Sequence, residues 1–498
     1  MSQSNPPDLR LTEEGVQAEF QRHPHLLMKL AENAFTVAES LRNNYFKNTA
    51  QFVSALRKAI NAHATGKRPD PILGVYDTPK VDWSSVQGEV VTFIDGGVGK
   101  VQLSSQVPIL LRVGSYCVRT GERHLSEREQ FGYYPVILGD LEGGSKERKD
   151  FIDIVRITAE LLGGLSALER TPDLRMLMFH GPLVYMMSAY AGHTPFTEKD
   201  IDLFLKQYAP GTNTAHQLKE DFLNDAKLYI YPKMTPRSDD WVKNRWFEPL
   251  AWISWLYRRL IEIAKQRTPR PIIAGVVERG ELREFSKDVL LERVFQGLRD
   301  KNQENYFNQM YGRTDLKSPK SLLDRLNYTD ALLMAMLLQP GQYSESWVIA
   351  KYDGLREGRV TLPNEPDVSI VNFTPLKPEN NKTGFPKVNG CYLSVSETTE
   401  PIRVETFAEL GDDQIHEAVN RAHMYSRLLP GYGFPVGLDI ADKFAKVPAW
   451  MTQSYGKLIR HHLGVSLQRG EISDAEMRRI LVQAIYMTHR DWLFRPQS

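Results

Sequence analysis

Cysteine is almost missing from this chain: there are two in 498 residues, Cys117 and Cys391. Two thiols cannot build a disulfide framework or a cysteine-based zinc module, so any bound metal must rest on carboxylates and histidines. Neither sign of charge dominates. Against 62 Lys and Arg stand 61 Asp and Glu, a formal +1. That balance excludes a histone-like polycation but leaves room for a basic groove offset by acidic surface elsewhere. Long apolar runs are lacking too. The longest clean one, Ala331 to Leu338, is far too short to span a bilayer. Met1 to Leu9 is polar and carries Pro6 and Pro7, without the apolar centre of a secretion signal. A soluble cytoplasmic protein with no membrane association is expected. The chain also shows no internal repeat and no low-complexity tract.

What is present is a globular composition, 42% hydrophobic and 25% charged. The length suggests about three domain-sized units. Thr12 to Ala64 reads as helix, with Val16, Phe20, Leu26, Leu27 and Leu30 on one stripe and Ala34 to Ile60 continuing at helical spacing. A cap or dimerisation arm is the plain reading, and Lys67 to Pro71 reads as a linker. The texture then changes. Glu89 to Asp95, Val101 to Ser104 and Pro108 to Arg119 are β-rich runs with short connections, predicting an antiparallel meander. A helix from Phe151 to Glu169 follows, stopped by Pro172, and Leu174 to Phe179 reads as a buried strand. The stretch from Thr194 to Gln266 looks helical. Its Trp246, Trp252, Trp255 and Tyr257 are read as core rather than as a base-stacking platform. Later strands are predicted at Pro271 to Glu278, Ser346 to Lys351, Tyr392 to Glu397 and Pro401 to Thr406. Helices are predicted at Lys287 to Arg299, at Asp330 to Leu338, at Asp412 to Leu429 and from Ile440 onward. The C-terminal helix opens on a capping box, Ser473 with Glu476.

Two short patterns bear on chemistry. Asp95 closes an apolar run and precedes Gly96 and Gly97, which holds a carboxylate rigidly and leaves the next backbone groups open. Alone it reads as a hairpin turn. His180 repeats the form 85 residues on, in Phe179-His180-Gly181-Pro182-Leu183, and the helix between carries Glu160. Two strand-end ligands with a helical carboxylate are the constellation of ribonuclease-H-like nucleases, whose chemistry holds one or two cations roughly 4 Å apart. No nucleotide site accompanies it. A phosphate-binding loop ending at Lys100 would need Gly where Ile94 stands and Ser or Thr where Val101 stands. No Gly-x-Ser-x-Gly elbow is present. His461 and His462 read as surface residues.

The order of these patterns resembles the NurA nuclease family. Val91-Thr-Phe-Ile-Asp95-Gly-Gly is similar to that family's first strand, and Glu160 stands where it has a helical Glu. Leu177-Met-Phe-His180-Gly-Pro-Leu183 resembles its second strand, usually Asp-Gly-x-Leu. Ile272 to Val277 resembles a later strand, and Arg403-Val-Glu405 its Arg-x-Glu strand. Gly433-Phe434-Pro-Val-Gly-Leu438-Asp-Ile-Ala441-Asp442 resembles the closing Gly-Tyr-Pro-x-x-Leu-x-x-Ala-His. The likeness runs from about Val90 to Ala445. Three positions depart from it: His180 for Asp, Asp442 for His and Phe434 for Tyr, with Tyr432 nearby as a substitute hydroxyl. The exchange of His180 and Asp442 either preserves the ligand set in kind or marks a broken site. A shifted alignment would make Asp439 the ligand instead.

What the resemblance implies is an α/β, ribonuclease-H-like mixed sheet flanked by helices, with helical N-terminal and C-terminal extensions. The implied layout is a helical region over 1–80, a core over 81–460 with a helical insertion at about 190–266, and an extension over 461–498. Asp95, Glu160, His180 and Asp442 would be catalytic and hold Mn²⁺ or Mg²⁺. The implied activity is metal-dependent cleavage of DNA by a homodimer working with a HerA-type hexameric ATPase, in end processing or anti-phage defence. The rival is an inactive DNA-guiding or assembly subunit of the same translocase. A third reading is an RNA-acting enzyme of ribonuclease-H-like type.

Overall fold

A computed structural model describes residues 24–64, 72–101, 109–124, 129–133, 136–138, 145–184, 201–202, 205, 213–225, 249–349, 361–362, 365–369 and 386–486. Several expectations lie outside these: the helix start at 12–23, the linker at 67–71, residues 102–104, Trp246, residues 350–351 and most of 190–266. The chain divides into two compact units, 1–72 with 293–306, and 73–292 with 307–498. In the first, α1 (Pro24–Ser40) runs through a wider π turn (Leu41–Phe46) into α2 (Lys47–Ala64). Met28, Phe35 and Val37 of α1 are exposed, whereas Phe52 and Leu56 of α2 are fully buried.

The second unit is built on an eleven-stranded mixed sheet. In chain order its first half is β1 (Val75–Asp77), β2 (Val90–Lys100), β3 (Ile109–Arg119), β4 (Glu129–Tyr133), β5 (Val136–Leu138), then α3 (Ser145–Arg170) and β6 (Leu174–His180). After these come α4 (Pro249–Lys265), β7 (Ile272–Val277), β8 (Gln342–Ser344), β9 (Trp347–Val348), β10 (Val388–Leu393) and β11 (Ile402–Phe407). The closing helices are α5 (Gln414–Ser426), α6 (Val436–Ala445), α7 (Ala449–Gln468) and α8 (Ala475–Tyr486). Neighbours run β1-β8-β10-β11-β7-β6-β2-β3-β4, with β5 on β3 and β9 on β10. β2 pairs parallel with β6, and β6 with β7; the other pairs are antiparallel. An antiparallel meander followed by two parallel strands, each reached through a helix, is the ribonuclease-H-like order expected. Among the described residues no helix is long and apolar enough to cross a membrane.

Side-chain alternation sorts the sheet into two faces. Val91 and Phe93 of β2, Met176 and Met178 of β6, and Ala274 and Val276 of β7 pack against Ile415, Ala418 and Val419 of α5 and Leu438 and Ala441 of α6. Each fully buried Phe or Met here contributes about 2 kcal/mol. The opposite parity, Ile94, Leu177 and Phe179, meets α3 at Gly163 and Gly164. Trp252, Trp255 and Tyr257 are buried on α4, the core role expected of them. The α6 helix lies unusually close to the sheet. A methyl group on Gly114 of β3 would strike the Ala441 carbonyl, so only hydrogen lets the helix sit there.

Five local expectations are corrected. Asp95 does not end its strand: β2 continues through Gly96 and Gly97 to Lys100, paired with β3 along its whole length. The two glycines are strand residues under a helix, not a turn. The third meander strand is therefore Glu129–Tyr133, not the Pro108 run, which is β3 itself. The strand placed at Tyr392 to Glu397 instead spans Val388–Leu393, and α6 begins at Val436, before Ile440. At α8 the cap is Asp474, whose Oδ1 accepts from Met477 N at 2.6 Å, one residue later than Ser473.

Candidate metal centre

Register brings the site together. The parallel pairing of β2 with β6 ends at Ile94↔Phe179, and the next step along both strands sets Asp95 beside His180. Both have the parity of the face that α6 covers, and α6 presents Asp442 to them. One ligand atom from each of Asp95, His180 and Asp442 lies within 4.8 Å of the other two. The Asp95 carboxylate is fixed from two sides. Its Oδ1 accepts from Gly96 N at 2.8 Å, and its Oδ2 stands 3.0 Å from His180 Nδ1. Phe434, buried in the loop before α6, lays its ring 5.2 Å from the His180 imidazole and holds its orientation.

Glu160 arrives from the other face. It sits on α3 beneath Gly96, where any side chain on β2 would collide with its Oε1. The bare backbone at Gly96 lets a carboxylate from one face of the sheet act at its end. Arg156, one turn earlier, donates to Glu160 Oε1 at 3.0 Å. Burial raises the Glu160 pKa against the pull of Arg156, and the Asp95 charge adds to the rise, to about 7. Burial pushes the His180 imidazole down, but the hydrogen bond and charge of Asp95, with Asp442 and Glu160, outweigh it and leave it raised. The shift favours the imidazolium paired with Asp95, and a cation binding at His180 competes with that proton.

Two further expectations resolve at α6. Asp439 is not in the cluster: it accepts from Tyr432 Oη at 2.7 Å and pairs with Lys443 Nζ at 2.5 Å. Tyr432 thus serves Asp439 rather than replacing the hydroxyl lost at Phe434. Arg403 and Glu405 form a buried pair at 2.7 Å, and Glu405 Oε2 accepts from Leu183 N at 2.8 Å, anchoring the segment that follows His180. Sequence reasoning missed Arg156 and Lys446. The latter pairs with Asp442 at 2.6 Å. Both stand four residues from an acid on a helix, the spacing at which opposite charges meet, and that signal was available.

The donor set suits a hard or borderline dication. At about 2.1 Å per bond, ligands around one ion stand roughly 3 to 4 Å apart, so small side-chain shifts close the cluster. One imidazole beside carboxylates favours Mn²⁺ over Mg²⁺.

The family model for the NurA domain matches residues 89–447, a span holding every residue of this cluster. The chain belongs to the NurA family. A comparison with curated proteins finds no match. Among solved structures, the NurA nuclease from Sulfolobus solfataricus is 12% identical over 87% of this chain and 98% of its own, with a TM-score of 0.45. A NurA bound to dAMP and manganese is 12% identical over 86% and 94%, with a TM-score of 0.36. A NurA with manganese is 10% identical over 82% and 96%, with a TM-score of 0.35. In this NurA member, His180 and Asp442 meet at Asp95.

Proposed function

We propose that the protein is a metal-dependent DNA nuclease whose cation is held by Asp95, His180 and Asp442, with Glu160 beside them. The observation that carries this reading is the convergence of three ligand-competent side chains, from two strands and a helix, within 4.8 Å of one another. A divalent cation held there supplies charge neutralisation at a phosphodiester and acidifies water. The chain's own groups do the rest. The Glu160 carboxylate, which a cation nearby would favour over the acid, would take the proton of the attacking water while Arg156 holds it in place. The water oxygen bonds to phosphorus, the P–O3′ bond breaks, and the 3′-oxygen leaves and takes a proton from solvent to become a hydroxyl. Lys443 and Lys446 are largely exposed but paired with Asp439 and Asp442, so a backbone phosphate would have to compete with those carboxylates for them.

The partner reading belongs here as well. Family membership and the lack of any nucleotide-binding motif support a nuclease homodimer in the cytoplasm that takes DNA from a HerA-type hexameric ATPase, in end processing or defence. The test of the central claim is Mn²⁺-dependent cleavage of linear and single-stranded DNA by the purified protein, with single-stranded RNA as competitor. Cleavage that needs Mn²⁺ or Mg²⁺ and disappears in Asp95→Asn supports the nuclease. A folded, DNA-binding protein with no cleavage under any divalent cation would instead support the guiding-subunit reading.

A further inference from the structure

Glu405 is fully buried on an interior strand, a place where an apolar side chain would pack at less cost. Register shows what it reaches. Glu405 lies opposite Gly275 of β7, and Gly275 lies opposite Phe179 of β6, one residue before His180. Val404 and Val276 face α5 and α6, so by alternation Glu405 and Gly275 face the other way. The chain leaving His180 folds across Gly275 on that side. A methyl group on Gly275 would come within 2.8 Å of Gly181 O and 2.9 Å of Leu183 N. Without one, the turn lies against the β7 backbone and reaches Glu405 on the strand beyond.

This turn has no slack. Gly181 N donates to Val276 O at 2.8 Å, and Gly181 takes a φ of 109°, which a side chain would resist. Pro182 fixes its own φ and has no N–H. Leu183 N, in the interior, donates to Glu405 Oε2 at 2.8 Å. Glu405 is held in turn, its Oε1 accepting from Arg403 Nε at 2.7 Å. A buried ion pair costs desolvation that an apolar pair of similar volume avoids. What an apolar pair cannot do is accept from Leu183 N, which would be left without a partner. At the near end of the same turn, His180 Nδ1 stands 3.0 Å from Asp95 Oδ2, a contact that a small swing of the backbone would break.

We propose that Glu405 is a positioning residue: through Leu183 it fixes the turn that aims the His180 imidazole at Asp95 and Asp442. Glu405 stands outside the cluster and acts through the backbone. The proposal deepens the metal-binding reading above and rests on it for the cation, whereas the aim of His180 belongs to the metal-free chain.

The test compares two double variants that both remove the buried charge pair. Arg403→Met with Glu405→Gln keeps an oxygen for Leu183 N, and Arg403→Met with Glu405→Leu does not. Every other contact of Arg403 is lost from both alike. Gly275→Ala disturbs the same turn while leaving Glu405 in place. One readout is the imidazole NMR signal of His180 in EDTA, in protein with isotope-labelled histidine, identified by its loss in His180→Gln. The other is Mn²⁺ affinity by calorimetric titration. The Glu405→Gln double should keep the wild-type His180 signal and Mn²⁺ affinity. The Glu405→Leu double and Gly275→Ala should shift the signal and weaken Mn²⁺ binding about tenfold or more, the usual loss when a group that orients a metal-binding histidine is removed. A wild-type His180 signal in a folded Glu405→Leu double overturns the proposal. If that double does not fold, an unchanged signal in Gly275→Ala overturns it. Equal losses in the two doubles also overturn it, because the charge pair rather than the acceptor would then matter. If wild type itself binds no Mn²⁺, the metal reading fails, and the His180 signal alone decides whether Glu405 sets the imidazole.

Discussion

Glu160→Gln should change how the stability of the metal-free protein depends on pH. In the folded chain the Glu160 carboxyl titrates at about 7, against 4.5 when unfolded, because it is buried under Gly96 and faces Asp95. Between those values the folded state holds a proton that the unfolded chain has released. More protons bound in the folded state means that stability falls as pH rises through this window. Each pH unit costs about 1.4 kcal/mol, so the whole window is worth about 3 kcal/mol. Gln keeps the shape and an oxygen for Arg156 but carries no titrating proton. His180, also raised, loses its stabilising contribution in the same direction; part of that rise comes from the Glu160 charge, so the difference between the two proteins reports Glu160 together with its coupling to His180. The assay is urea unfolding in EDTA from pH about 4.5 to 8. Wild type should lose about 3 kcal/mol relative to Glu160→Gln across that range. Parallel curves would show that Glu160 is not buried as a protonated acid in the metal-free protein.

Asp95→Asn should leave the melting temperature within a few degrees of wild type and lower Mn²⁺-dependent cleavage about a thousandfold, a loss of about 4 kcal/mol of transition-state stabilisation; full activity would remove Asp95 from the site. His180→Asp and Asp442→His should each weaken Mn²⁺ binding, and the double variant should recover more than either, since ligands within 4.8 Å of one another cannot act independently. Strictly additive losses in titrations of Mn²⁺ would show that the two do not share an ion. Gly114→Ala should lift α6 off the sheet at Ala441, destabilising the protein by about 1 to 3 kcal/mol and weakening Mn²⁺ binding through displaced Asp442; unchanged metal affinity would show that α6 does not set the Asp442 position.

By itself the sequence determined the family and marked out the residues proposed to carry the chemistry. Asp95 and His180 were legible because each follows an apolar run and precedes glycine, a local pattern. Glu160 was legible from its place on a helix between them. The same locality misled at Gly96 and Gly97. Two glycines after an apolar run signal a turn, but here β3 continues the pairing and α6 needs the bare backbone, and neither partner is near in sequence. The choice between Asp439 and Asp442 also lay beyond sequence. Both are on α6 three residues apart, and only the seating of that helix on Gly114 turns Asp442 toward His180 and leaves Asp439 to Tyr432 and Lys443. The elevated Glu160 pKa is tertiary in the same way, since it comes from burial and from a charge 65 residues away. Arg403 and Glu405 stand out as a motif, but no stretch of chain announces that Glu405 holds Leu183, 222 residues away. Strand propensity and residue chemistry are carried by neighbours along the chain, whereas ligand geometry, proton affinity and buried anchors depend on side chains that only packing brings within a few ångströms.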